Sequence, residues 1–131
     1  MRPSAETADQ IYDQIASCLD SPEFKPRALY EKFKIEVLAT TDDPCDDLAA
    51  HQFLRDDENW QGRVIPTFRP DKYLEPALQN WNADVDRLAE VSGIDTGDYD
   101  GYIAAIENRR QYFKDNGAVS SDHSHLDART D

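Results

Sequence analysis

The stretch IEVLATTDDPCDDL, residues 35–48, opens with apolar residues in the manner of a buried strand and closes in acid. Asp42, Asp43, Asp46 and Asp47 follow Thr40 and Thr41. The apolar part, IEVLAT, is a strand candidate. Asp43 has the short acceptor side chain of a helix N-cap, and Pro44 suits the first helical position, where its missing N–H removes no hydrogen bond. Asp46 and Asp47 would then fall in the first turn, where the helix dipole favours negative charge. The stretch therefore reads as a strand end followed by a helix start, with Thr41 and Asp42 left at the exit.

The same grammar recurs downstream. RVIPTFRPD, residues 63–71, is a short apolar strand with a polar exit at Arg69 and a proline after it. A helix is expected next, with Leu78, Trp81, Val85 and Leu88 on one face and Gly93 as its stop. DTGDYD, residues 95–100, restarts a helix whose buried side would carry Tyr99, Tyr102, Ile103, Ile106 and Phe113, closed by Asn116 and Gly117. AVSSDHSH, residues 118–125, is a third short strand with a polar exit at Asp122 and His123. Upstream, Thr7 and Gln10 have the spacing of a capping box, and Ile11, Ile15, Cys18 and Leu19 follow at helical spacing. DSPEFKP, residues 20–26, breaks that helix, and a shorter one begins near Pro26 with Leu29, Tyr30 and Phe33 on its apolar face.

Strands separated by helices imply right-handed crossovers and a parallel sheet, hence an α/β fold. Three strands are few, because a parallel sheet is covered on both faces and flanked at its edges. The chain reads as a single incomplete segment of a larger α/β fold. Residues 1–34 form a helical lead-in, 35–125 a βαβαβ-type region and 126–131 a tail.

Composition narrows the function classes. The 131 residues carry 27 acids against 14 lysines and arginines, a formal net charge of -13. Such a chain is repelled by nucleic acid phosphates and by anionic lipid, so neither nucleic acid nor membrane is expected as a partner. No apolar run approaches the ~20 residues of a membrane span, and MRPSAETADQ lacks the apolar stretch of a signal peptide. Cys18 and Cys45 are too few for a disulfide scaffold and lack zinc-site spacing. The expectation is a reducing cytoplasm, with Cys18 as a small core residue. There is no Gly-rich phosphate loop and no Gly-x-Ser-x-Gly elbow. Cys45 sits near an expected helix N-terminus, which can depress a thiol pKa, but no histidine is placed beside it by sequence.

In parallel α/β folds, ligands bind at the C-terminal ends of the strands. Those ends carry Thr41 and Asp42, then Arg69, then Asp122 and His123, on one shared rim. An arginine among carboxylates suits an anionic, hydroxyl-rich ligand, since a guanidinium grips a carboxylate through two hydrogen bonds. Asp and His can accept or relay protons. Each residue also has a plainer reading: Asp42 satisfies turn amides, Arg69 joins a surface ion pair, and Asp122 caps the following turn. His123 and His125 form a His-x-His pair, a spacing that can bind zinc, but two histidines without a third ligand equally describe a terminal tail. His51, in LAAHQFL, reads as a partly buried helix residue.

Three stretches together resemble a known family. FKPRALYEKFKIEVLATTDDPCDDLAAHQFL (24–54), RVIPTFRPDKYL (63–74) and GAVSSDHSHLDART (117–130) resemble the middle of uronate isomerase, also called glucuronate isomerase. The resemblance runs from about Thr7 to Arg129. It implies the amidohydrolase superfamily, a partial (β/α)8 barrel with about three parallel strands and flanking helices, and a divalent metal, commonly zinc. It implies interconversion of D-glucuronate with D-fructuronate and of D-galacturonate with D-tagaturonate, with a hexuronate sugar acid as substrate. By the same resemblance Arg69 and Asp42 are substrate-binding, and Asp122 and His123 belong to the catalytic rim. The family's metal ligands, a His-x-His pair on the first barrel strand and a late aspartate, match no segment of this chain, so His123 and His125 take no metal role from it. A whole barrel needs ~250 residues. The isolated chain is therefore expected to be inactive, to need missing barrel segments, or to self-associate through its sheet edges. The alternative is a non-catalytic α/β binding or assembly module derived from that enzyme.

Overall fold

The computed structural model describes residues 2–124. They form two compact units that divide between Glu36 and Val37.

The first unit is helical. It comprises α1 (Ala8–Asp20), a 3-10 turn (Pro22–Phe24) and α2 (Pro26–Lys32). Thr7 precedes α1, but the expected capping box does not form. Its hydroxyl oxygen accepts from the Ser4 amide at 3.0 Å and lies 3.0 Å from the Arg2 carbonyl, and makes no cap bond to the helix. The turn that ends at Thr7 offers nearer partners than the helix does. α1 stops where the Ser21 amide and hydroxyl both donate to the Cys18 carbonyl, ahead of Pro22. The expected apolar face of α1 is not a core: Ile15 and Leu19 are about half exposed, and Cys18 is only half-buried. Pro26 takes the first position of α2 as its fixed φ favours. Tyr30 is buried and donates to the Glu36 carbonyl at 3.0 Å, whereas Phe33 is exposed.

The second unit holds a two-stranded parallel sheet. β1 (Leu38–Ala39) pairs with β2 (Val64–Ile65), Leu38 opposite Val64 and Ala39 opposite Ile65. α3 (Ala49–Asp56) lies between them in sequence. The ladder is short for a chemical reason. Pro66 has no N–H to contribute, and the Thr67 amide donates to the Asp42 carboxylate at 3.2 Å. Parallel pairing resumes at single bridges, Asp42 opposite Phe68 and Phe68 opposite Ser121. The third expected strand, at 118–125, thus contributes one bridge and no strand among the described residues; His125 lies outside them.

The acid run does not start a helix at Pro44. Asp43, Asp46 and Asp47 instead each accept the amide two residues ahead, from Cys45, Leu48 and Ala49, at 2.9, 2.6 and 2.9 Å. Short carboxylates compete with helical hydrogen bonding by closing such turns. The helix begins only at Ala49, after Leu48 adopts a left-handed φ of 54°.

α4 (Asp71–Leu74), α5 (Trp81–Ser92) and α6 (Tyr99–Asp115) complete the unit. Gly93 ends α5 with φ 70°, and its amide donates to the Ala89 carbonyl at 2.8 Å. Asp98 caps α6 by accepting the Gly101 amide at 2.8 Å. Two apolar clusters fill the interior. Cys45, Tyr73, Leu88 and Ala105 form one; Leu48, Phe68 and Phe113 form the other, with the Phe68 and Phe113 rings edge-to-face at 5.2 Å. Cys45, not Cys18, is therefore the core cysteine. Tyr99 and Leu78, expected on buried faces, are exposed. No described helix is long and apolar enough to cross a membrane.

Candidate functional site

The parallel register brings the exits of the paired segments side by side. The Arg69 amide donates to the Asp42 carbonyl at 3.1 Å and the Asp122 amide to the Phe68 carbonyl at 3.0 Å, so backbone bonds lock all three exits together. Thr41, Asp42, Asp43, Arg69, Asp71 and Lys72 line a shallow depression of about 310 Å³ at this edge.

Arg69 stands between two carboxylates. Its Nε donates to Asp71 Oδ2 at 2.9 Å, and Nη2 lies 3.5 Å from Asp122 Oδ2. Nη1 has no partner among the described residues. The Arg69 side chain is 38% exposed, open enough to meet a ligand.

Asp71 is the residue that sequence reading missed. Besides Arg69, its carboxylate accepts the Ser124 amide at 3.1 Å and the Ser124 hydroxyl at 3.1 Å, and lies 3.4 Å from His123 Nδ1. Burial alone would raise its pKa. The hydrogen bonds from Ser124, His123 and Arg69 prevail and hold it below the ordinary carboxylate value. The available signal was its place two residues after Arg69, a spacing that favours a local ion pair.

Asp42 is turned inward. Its Oδ2 accepts from Thr40 Oγ1 at 2.6 Å and from the Thr67 amide at 3.2 Å, and lies 3.8 Å from His51 Nε2. The amide that Asp42 satisfies is thus across the paired segments, 25 residues away, and not in its own turn, and the residue still lines the depression. His51 is more buried than its sequence suggests, at 7% exposure.

At the wall of the depression, Lys72 bridges Asp43 and Asp84 at 2.8 and 2.9 Å. The Tyr73 hydroxyl donates to Asp43 at 2.8 Å. Burial, with the neighbouring Cys45 and Asp43, pushes the Tyr73 phenol far above its ordinary pKa, so it serves as a fixed donor. Among the described residues no three His, Cys, Asp or Glu side chains converge as a metal-ligand set.

The arrangement offers one guanidinium with unspent donors, a carboxylate and an imidazole beside it, and a second carboxylate braced by the fold. That combination can hold an oxyanion and exchange protons close to it.

Comparison with known proteins places the chain in a family. The glucuronate isomerase family model matches residues 3–130. The chain is 57% identical over 129 residues to the uronate isomerase of Cutibacterium acnes, covering 98% of this chain and 27% of that protein. It is 47% identical over 128 residues to that of Rhizobium meliloti, again covering 98% and 27%. The crystal structure of glucuronate isomerase from Caulobacter crescentus superposes with a TM-score of 0.83 at 40% identity, over 92% of this chain and 25% of that one. Uronate isomerase from Thermotoga maritima gives 0.80 at 35% identity, over 94% and 27%. The chain spans about a quarter of the length of these relatives, and it belongs to the glucuronate isomerase family.

Proposed function

We propose that this chain is an internal segment of a uronate isomerase, contributing strands and one wall of the active site to a (β/α)8 barrel of the amidohydrolase type. The barrel's reaction would be aldose–ketose isomerisation of a hexuronate, glucuronate or galacturonate, in a cytoplasmic catabolic route. The observation that carries this reading is the setting of Arg69, at the strand exits with unspent guanidinium donors. Because Nε is engaged by Asp71, a sugar-acid carboxylate would be gripped end-on, through Nη1 and Nη2.

Proton movement between adjacent sugar carbons needs a group that can both accept and return a proton. Asp71 beside His123 Nδ1 favours the Nδ1–H tautomer, which leaves Nε2 as the acceptor. Asp122, beside Arg69, would hold a hydroxyl of the substrate or share in the proton transfer. The divalent metal implied by the family does not fit the described residues, which supply no ligand set. Its ligands are assigned to barrel segments outside this chain, and no step above runs through it.

The test is reconstitution. The chain is mixed with segments that carry the remaining barrel strands, and isomerisation of glucuronate is followed. Recovered turnover, with Arg69→Ala raising KM for the sugar acid, is the expected result. No turnover over a wide range of concentrations, with both parts folded, would sink the reading.

One observation favours a second reading, a non-catalytic assembly module. Leu38 in β1 and Val37 just before it are 44% and 42% exposed. An apolar strand edge is a template for self-association. Sedimentation of the isolated chain separates the two states: a monomer would remove this reading.

A further inference from the structure

His51 lies in the first turn of α3, its Nε2 2.7 Å from Thr40 Oγ1. Thr40 Oγ1 is in turn 2.6 Å from Asp42 Oδ2. Counting protons along this chain settles each role. A carboxylate only accepts, so the single hydroxyl proton of Thr40 goes to Asp42. The other acceptor near that hydroxyl, the Ile65 carbonyl, is more distant at 3.3 Å. Thr40 Oγ1 must then accept from His51, which requires a proton on Nε2.

His51 Nδ1 is buried and has no hydrogen-bond partner among the described residues. A proton there would create an imidazolium with an unpaired, buried N–H, the costlier of the two states. The ring is therefore the neutral Nε2–H tautomer.

We infer that His51 is a positioning residue that acts through Thr40 to lock the Asp42 carboxylate, so that Oδ2 is held inward and Oδ1 is left for a ligand hydroxyl. Oδ2 receives Thr40 and the Thr67 amide together, and Oδ1 has no partner among the described residues. Asp42 lines the depression, so the free oxygen belongs to a residue within reach of a ligand there. The lock fixes one carboxylate oxygen at the strand exit before any ligand arrives, which is the form in which a hydrogen-bond acceptor selects among sugar epimers. The ligand class rests on the isomerase reading; the tautomer and the lock do not.

Two measurements decide it. Nitrogen-15 NMR of the 131-residue chain, with His51 assigned by its loss in His51→Gln, reads the tautomer directly. A protonated Nε2 with a bare Nδ1 is expected; an Nδ1–H ring, or the averaged signal of a solvent-exposed imidazole, overturns the assignment. In the reconstituted barrel, His51→Gln places an amide donor where Nε2 was and should keep KM for glucuronate within about twofold. His51→Leu and Thr40→Val both break the chain and should raise KM by about tenfold, as expected when a positioned group is released. If both leave KM per folded molecule unchanged, the positioning role fails. A wild-type assembly without turnover sinks the isomerase reading, while the tautomer spectrum still decides the lock.

Discussion

Arg109 donates its Nε–H to the Pro44 carbonyl at 2.8 Å, joining residues 65 positions apart. Its Nη2 also donates to the Asp46 carbonyl at 3.0 Å, and its guanidinium lies 4.1 Å from the centroid of the Tyr112 ring. One buried arginine thus pins the acid-rich loop after β1 to α6. Replacing it by Met keeps the bulk but leaves two carbonyls without their donor. Arg109→Met is expected to lower unfolding free energy by roughly 2–4 kcal/mol, the range for losing charged hydrogen bonds at a buried site. Arg109→Lys should recover only part of this, since one ammonium cannot copy the fork. Urea titration of the three proteins checks the order.

Stability should fall at both ends of the pH scale through the Asp43, Lys72 and Tyr73 cluster. Burial works to raise the Asp43 pKa, but bonds from Lys72, the Cys45 amide and Tyr73 hold it below 3.8. Its contribution is therefore present above the unfolded value and lost as pH drops through the depressed folded one. Burial works to lower the Lys72 pKa, and Asp43 and Asp84 hold it above 10.5. That contribution is complete below 10.5 and lost as pH climbs through the raised folded value. The Tyr73 phenol, raised by burial, adds to the alkaline loss. Lys72→Met should flatten the acid limb relative to wild type. An unchanged slope between pH 4 and pH 2, measured by chemical denaturation, would remove Asp43 from the account.

Gly93 and Gly101 should respond differently to alanine. At Gly93 the space is open, and the only objection is the left-handed φ of 70°, so Gly93→Ala should cost about 1 kcal/mol. At Gly101 a Cβ would run into the Asp95 backbone carbonyl oxygen, which cannot swing aside as a side chain can. Gly101→Ala should cost about 2–3 kcal/mol, as overpacking against fixed atoms does. Thermal unfolding of the pair is the check, and an equal loss would contradict this packing.

Asp71→Asn keeps the shape of the side chain but removes the charge that gathers Arg69, Ser124 and His123. The Ser124 amide should then exchange with solvent about tenfold faster, the equivalent of one charge-assisted hydrogen bond. The Leu88 amide, in the core of α5, should not change. Hydrogen exchange read residue by residue tests both halves.

Much of the arrangement was legible in the chain itself, and the misses have a common physical cause. Gly93 as the stop of α5 and a helix restart within residues 95–100 rest on backbone preferences that act within a few residues. The strand exits were found at Asp42, Arg69 and Asp122 because apolar runs ending in polar residues mark them. The helix expected at Pro44 failed because three aspartates each found a nearer amide. Of the buried face expected on α6, Phe113 is in the core and Tyr102 and Ile106 pack against it, whereas Tyr99, the first residue of the helix, is exposed. His51 read only as a partly buried helix residue and Asp71 was not singled out, because their partners lie 11 and 53 residues away.

Sequence by itself therefore determined the alternation of helix and strand, the acidic surface, the family, and the set of exits where chemistry belongs. These follow from hydrophobic spacing, capping chemistry and composition, which are local or additive. The tertiary structure decided how the residues at those exits are used: Arg69 flanked by Asp71 and Asp122, Asp42 drawn inward by Thr40 and Thr67, and the loop at Pro44 held by Arg109. A buried donor or acceptor must find its partner wherever the chain brings one. Only the packed fold specifies where that is.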